Sequence, residues 1–409
     1  MRGLTGATPL NSSNPLFTVA LAAFSSMASM RACDSLLPSL ADEFSVTLGT
    51  AAYTISVFAV AYGVAQIILG PAGDRFGKPR VIGWAAVVCA LANIGVAMSG
   101  SLDQAVAWRV LAGGAAGGIV PLSLALIGDR VPYESRQVVL ARLMTATLMG
   151  MIAGQWVGGM LADAMGWRTV FLGLAGLFSL AALPAFNTHR RERALPSPTQ
   201  TASKGNFFNQ LRQVLRNPWA RCILAAVGLE GAFVYAAMSF VPSYLHHAFG
   251  LSLGEAGAVM ALFAVGGLLY AVGAPTLIRR LGEVGLVQAS GWSLALAMGA
   301  LTFAPSWHWG MLACLLGGLG LYFLHSVLQT HATQMLPDLR GTAVASFVIF
   351  LFVGQSIGVV AAAEVVDRVS PRWVFAASML VLPAVALWFS RKLRRRAQAA
   401  ASANRERTS

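Results

Sequence analysis

Charge is what this chain of 409 residues has least of: only 11% of its residues are Asp, Glu, Lys or Arg, where soluble domains carry about 25%. Acidic residues are the scarcer kind, 16 against 29 basic ones, while hydrophobic residues make up 56%. A chain so short of charge does not clothe a water-facing surface. Apolar runs of about 20 residues, the length a helix needs to cross a bilayer core, recur along it and leave no stretch for a soluble domain. Cysteine is sparse too. Cys33, Cys89, Cys222 and Cys314 lie in apolar runs without C-x-x-C spacing, and they read as small core residues. There is no G-x-x-x-x-G-K-[ST] run to cradle a nucleotide, and the histidines show no H-E-x-x-H grouping. An ATPase, an enzyme of another kind, a bound metal and a cofactor are therefore not expected. The first residues also lack a charged start, apolar run and small-residue cleavage site in succession, so the first span is expected to stay in the protein.

What is there is an all-α pattern of twelve spans. They run near Leu16–Leu37, Ala51–Leu69, Val81–Met98, Ala105–Ile127, Val138–Leu161 and Thr169–Phe186, then Ala220–Leu245, Ala256–Ile278, Val284–Phe303, Trp309–Leu328, Thr342–Ala363 and Trp373–Phe389. Between the two sets of six, residues 188–219 form the one long polar stretch, with Arg190, Arg191, Arg193, Pro196 and Pro198, which cannot bury a core. Within it, Phe207–Val214 has the periodicity of a short helix lying on the membrane. The organisation expected is a first bundle over 1–187, a linker over 188–219, a second bundle over 220–390 and a basic tail over 391–409.

A net charge of +13 could mean nucleic acid, but the position of the charges decides otherwise. With an even number of spans, all of the 29 Lys and Arg except Arg31, Arg109, Arg168, Arg368 and Arg372 fall on the side shared by both termini and the linker. That bias marks the cytoplasmic side. The expectation is a multi-pass protein of a bacterial inner membrane with both termini inside, whose tail Arg391-Lys392-Leu393-Arg394-Arg395-Arg396 rests against anionic headgroups.

The loop after the second span reads Gly70-Pro71-Ala72-Gly73-Asp74-Arg75-Phe76-Gly77-Lys78-Pro79-Arg80. Its prolines limit helix continuation and its glycines let a second backbone approach. Here the chain resembles the major facilitator superfamily, whose corresponding loop has the pattern G-x-x-x-D-R-x-G-R-R. Gly70, Asp74, Arg75, Gly77 and Lys78 match it, and Pro79 departs from it. The resemblance implies two pseudo-symmetric six-helix bundles with a midplane cavity between them. Internal repeats agree: Asp74-Arg75-Phe76-Gly77 is echoed by Arg279-Arg280-Leu281-Gly282, and Gly154-Gln155-Trp156-Val157-Gly158 by Gly354-Gln355-Ser356-Ile357-Gly358. It also implies that Asp74, with Gly73 beside it, serves as a latch near the start of the eleventh span at Gly341 and Thr342. Arg279 has the wrong sign for the same contact.

Charges inside spans are expensive, about 2.5–3.5 kcal/mol each on insertion scales, and so are candidates for function. Arg31 and Asp34 stand on one face of the first span. Either they neutralise each other, or Asp34 simply sits near the outer interface before Pro38, or Asp34 is a protonatable carboxylate in the cavity, where desolvation and a nearby cation pull its proton affinity in opposite directions. Glu230 in the seventh span is either structural or a second proton or cation site. His325 and Gln329 share a face of the tenth span, and Gln155, Gln355 and Tyr235 complete a possible substrate cavity. The run Arg109-Val110-Leu111-Ala112-Gly113, continuing to Gly117 and Pro121, is similar to the fourth-span pattern of proton-coupled members of the superfamily. The resemblance gives Arg109 a coupling role; the glycines read as a packing face. In the fifth span Gly150, Gly154, Gly158 and Gly159 match the drug:proton antiporter motif, but Gln155 replaces its proline, which puts the expected kink in doubt.

The function expected from the resemblance is proton-coupled efflux of a small amphipathic compound by a monomer. Tyr235, Met238, Phe240, Tyr270 and Phe323 suit an apolar substrate, and equally an ordinary core. A proton-coupled importer of a metabolite and a non-transporting membrane sensor remain open.

Overall fold

The computed structural model describes residues 15–187 and 207–408; the middle of the linker, with Arg190, Arg191, Arg193, Pro196 and Pro198, lies outside the described residues. The described chain is helical throughout, with no strand in it. Six spanning segments come first: α1 (Pro15–Phe44), α2 (Leu48–Phe76), α3 (Lys78–Ala97), α4 (Leu102–Arg130), α5 (Ser135–Met165) and α6 (Trp167–Asn187). After the linker come α7 (Pro218–Phe249), α8 and α9 (253–281 and 283–302, joined at Gly282), α10 (His308–Ala332), α11 (Pro337–Arg368) and α12 (Pro371–Thr408). The side on which α1 begins and α12 ends is here the linker face, and the opposite side is the far face.

The helices overrun the expected spans. α1 continues through Pro38, and α2 continues through Pro71 to Phe76. The loop expected from Gly70 to Arg80 is therefore almost wholly helical, a correction with a simple cause. A proline removes one hydrogen bond from a helix whose other turns hold it, and Pro79 sits in the first turn of α3, where an N–H has no partner to lose. The break falls on Gly77, at φ +90°, and its repeat partner Gly282, at φ +63°, breaks α8 from α9 in the same way. Both angles are open to glycine and strained for other residues.

Packing shows the duplication directly. A Cβ on Gly113 would run into the carbonyl of Phe58, and one on Gly318 into that of Phe263. Likewise Gly150 and Gly154 lie against the carbonyls of Phe24 and Ala28, as Gly354 and Gly358 do against those of Gly228 and Ala232. This pairs Gly154 with Gly358, one helical turn away from the sequence match of Gly154 with Gly354. A glycine every fourth residue matches itself after a shift of one turn, so sequence alone could not choose between the registers.

The buried core is shared at one face and divided at the other. One cluster draws on both halves, including Leu36, Leu40, Trp167, Leu245, Leu253 and Phe375, all toward the far face. The buried residues of a second cluster, from Val19 to Ala182, belong to the first half; those of a third, from Val214 to Leu393, belong to the second. The halves are thus joined at the far face and part toward the linker face. The linker helix spans Phe207–Arg216 and does not lie only on the membrane: Val214 is fully buried in the core of the second half.

Candidate functional site

Arg31 and Asp34 face the same way from α1, with Arg31 Nη1 3.4 Å from Asp34 Oδ2. Gln155 of α5 donates from Nε2 to the same oxygen at 3.2 Å. All three are buried, Asp34 completely. Gln155 stands in a π-helical turn, Ala153–Val157, where the superfamily's proline was missing. The irregularity expected from proline is present here as a widened turn, a feature common at functional sites. Asp34 Oδ1 and Arg31 Nε have no hydrogen-bond partner. A buried polar atom left in this way costs about 1–3 kcal/mol, so Asp34 Oδ1 favours a further donor or a proton and Arg31 Nε–H favours a further acceptor.

A second π turn, Gly231–Tyr235, follows Glu230 in α7. It presents Tyr235 to the other half, where the Arg31 guanidinium lies 4.8 Å from the ring centroid. Arg31 and Tyr235 are equivalent positions of the two halves, each two turns before the Pro-Ser pair at Pro38 or Pro242. The cation–π contact therefore bridges the halves near their pseudo-axis. Glu230 is fully buried; His325 of α10 meets its Oε2 at 3.0 Å through Nδ1, and Glu230 Oε1 has no partner. One turn further along α10, Gln329 is exposed and does not join this pair. Gln355 is buried in α11 with its Oε1 unpartnered.

Arg109 is fully buried, yet it is not part of the Arg31–Asp34 contact. Its Nε donates to the Thr54 carbonyl at 3.1 Å, its Nη1 donates to the Ser29 carbonyl at 2.9 Å, and its charge lies 4.1 Å from the Phe58 ring centroid. Nη2 has no partner. Arg109 thus ties α1, α2 and α4 together within the first half. Among the aromatic candidates, Met238 and Phe240 are fully buried in the shared core, whereas Tyr270 stacks near Tyr322 and Phe323 and donates to Ser326 at 2.6 Å.

At the linker face, Asp74 Oδ1 lies 3.2 Å from Lys78 Nζ, which also holds Asp129 at 2.7 Å. Arg75 lies over the ring of Phe76, Gly73 packs on Leu122, and Gly70 has open space around it. The α11 start is otherwise engaged, since the Thr342 hydroxyl bonds Gln210 of the linker helix.

Sequence reasoning missed two carboxylates at the far face. Asp163, near the end of α5, accepts from the backbone N–H of Leu253 at 3.1 Å and Gly254 at 2.7 Å, at the start of α8. Asp367, near the end of α11, accepts from Gly49 N–H at 2.8 Å and lies 2.6 Å from the Thr47 hydroxyl, at the start of α2. Each carboxylate crosses from one half to a helix N-terminus of the other, where the helix dipole favours negative charge. The signal was legible in the repeated Thr47-Leu48-Gly49 and Ser252-Leu253-Gly254. Both glycines admit the crossing helix: a Cβ on Gly49 would meet Asp367 and the Ala363 carbonyl, and one on Gly254 would meet Met160.

The family model of the Major Facilitator Superfamily matches residues 19–359. The chain is 21% identical to YwfA of Bacillus subtilis (strain 168), described as an uncharacterized MFS-type transporter, over 86% of this chain and 84% of that one. It is 26% identical to the multidrug export protein EmrB of Escherichia coli (strain K12), but over only 37% of this chain and 30% of EmrB. In structure it superposes on a point mutant of the nucleoside transporter NupG with a TM-score of 0.75, covering 93% of this chain and 99% of that one at 14% identity. With a twofold-repeated helical bundle, joined at one face and parted at the other, the chain belongs to the Major Facilitator Superfamily of membrane transporters.

Proposed function

We propose that the protein exports a small amphipathic compound from a bacterial cell in exchange for protons, working by alternating access as a monomer, with its linker face in the cytoplasm. The observation that carries this reading is the pair of fully buried carboxylates, Asp34 and Glu230, each set beside a π turn and each with one oxygen unpartnered. Such groups can exchange a proton when their surroundings change. An apolar cation near Asp34 favours release of its proton, while the aromatic rings of Tyr235, Tyr270 and Phe323 supply apolar contact. Arg109, through its bonds to α1 and α2, would hold the α1 charges in place. The likeness to EmrB supports export over import, and the excess of Lys and Arg on the linker face supports its assignment to the cytoplasm.

Transport in proteoliposomes under an imposed pH gradient tests the reading. Candidate cations should move uphill against a proton flux, and Asp34→Asn should abolish uphill movement while leaving expression nearly normal. Wild-type uphill rates in that variant would remove Asp34 from coupling and make Glu230 the candidate. Substrate moving with the protons would instead mean an importer, and movement of no compound a sensor. For orientation, an impermeant thiol reagent applied to intact cells should label a cysteine placed at Ser252 and not one at Thr333.

A further inference from the structure

At the linker face, far from the buried charges, a cavity of about 450 Å³ opens where α7 begins and α12 leaves its apolar span. Trp219, Cys222 and Met335 give it apolar walls, and Lys392 and Arg396, one turn apart on α12, supply two cations. The Trp219 ring is fixed by stacking on Phe389 at 5.9 Å and by the edge of His331 at 5.4 Å, and Arg396 lies 4.4 Å over its centroid. No carboxylate pairs with Lys392 or Arg396 among the described residues. His331, which borders the ring, is held by Glu283 at 3.0 Å, and the N-terminus of α7 is already capped by Asn217. Two cations over an apolar floor thus stand at the depth where a tryptophan marks a membrane–water interface.

We propose that this pocket seats one anionic phospholipid, its phosphate between Lys392 and Arg396 and its glycerol and upper acyl carbons against Trp219 and Met335. Bulk attraction of a polybasic tail to an acidic leaflet, worth about 1 kcal/mol per charge, would not distinguish one pair of tail cations from another. The pocket does distinguish them. Lys392 and Arg396 line it, whereas Arg391 and Arg395 carry the same charge and do not. The apolar walls also call for a lipid rather than a free phosphate.

The test is thermal unfolding of the full-length protein in neutral detergent, with phosphatidylglycerol, phosphatidylcholine or water-soluble glycerol phosphate added. Ligand bound only by the folded state raises the midpoint, and phosphatidylglycerol alone should do so. Lys392→Gln/Arg396→Gln should lose most of the upward shift, and the charge-matched Arg391→Gln/Arg395→Gln should keep it. Native mass spectrometry should show one retained phosphatidylglycerol, weakened at least fivefold by the first pair of substitutions and unchanged by the second. Equal losses from the two pairs would reduce the effect to bulk attraction and overturn the site. An equal shift with glycerol phosphate would overturn the lipid, and no shift with any ligand would overturn both. Trp219→Ala serves as a further check in the mass measurement: retention unchanged there would also count against the pocket.

Discussion

The two faces of the bundle are built from equivalent helix ends, yet they differ in what crosses between the halves. At the far face Asp163 and Asp367 each reach a helix start in the other half, and a shared apolar core lies beneath them. At the linker face Asp74 pairs within its own half, its counterpart Arg279 is a cation, and the buried clusters belong each to one half, with Phe352 reaching across to Tyr62. Far-face closure can therefore use two charge–dipole contacts, whereas linker-face closure has a carboxylate for only one. A transporter of alternating access needs both closures to be of similar free energy, since a population moves from 1:99 to 99:1 over only about 5.5 kcal/mol. On the function proposed above, substrate and protons would then have a modest gap to bridge.

The strongest way to break the comparison is steric. A Cβ on Gly159 of α5 would meet the backbone carbonyl of Leu253 in α8, and backbone cannot turn aside as a side chain can. Overpacking of this kind costs roughly 1–3 kcal/mol, all of it charged to far-face closure. Gly159→Ala should shift the population toward the far-face-open state by roughly fivefold to 150-fold across that range, read as faster thiol labelling of a cysteine placed in the far-face half of the cavity. Gly70→Ala should do the reverse. Gly70 has open space here, so the substitution leaves this state intact, and its Cβ would obstruct only a second backbone arriving on linker-face closure. Shifts in the same direction from both substitutions would break the proposed division between the faces.

Charge comes next. Replacing both far-face carboxylates, Asp163→Asn with Asp367→Asn, removes two charges from helix N-termini and leaves each side chain one acceptor oxygen where it now uses two. At about 1 kcal/mol for each, the double variant should shift the same labelling ratio roughly thirtyfold, and either single variant about fivefold. Nearly equal single effects would confirm that the two contacts are repeats of one device. An effect confined to one of them would show that the symmetry is in the backbone alone.

The sequence disclosed much of this frame and little of its polar wiring. Span positions were legible because an apolar run of span length leaves few other structures open to it, and the repeat of Gly77 in Gly282 was legible as a sequence echo, although that the helices break at these two glycines was not. Helix ends were not, since Pro38 and Pro71 are tolerated where neighbouring turns hold. The π turns left no mark in composition. Gln155 was visible as an absent proline, but not as the donor to Asp34, which depends on how one widened turn rotates a single side chain. Asp163 and Asp367 escaped notice because each lies near a span end, where a carboxylate needs no special explanation. Their partners are mostly backbone N–H groups, so the one mark they leave is the repeated Thr47-Leu48-Gly49 and Ser252-Leu253-Gly254 at the facing helix starts.

The smallest expected effect concerns the linker face itself. Asp74 lies in the last turn of α2, its side chain 60% exposed and held only by Lys78, and α11 enters the membrane from the same face with its Thr342 hydroxyl on Gln210. In the proposed latch, closure of the halves on that side brings the Asp74 carboxylate to the N–H groups at the α11 start, which no side chain of the N-cap residue caps here. The gain is about 0.3–1 kcal/mol for an exposed charge and up to roughly 2 when partly buried. Arg279 has no corresponding attraction to the start of α5, because a helix N-terminus repels a cation. Asp74→Asn should therefore raise the population of the state described here about two- to fivefold and slow turnover, while Arg279→Gln should change both by less than twofold. Accessibility of a cysteine in the linker-face half of the cavity reads the population, and transport rate reads the turnover. Equal effects from Asp74→Asn and Arg279→Gln would assign the loop a general electrostatic influence instead of a one-sided latch, and would leave the two far-face carboxylates as the charged closure the fold retains.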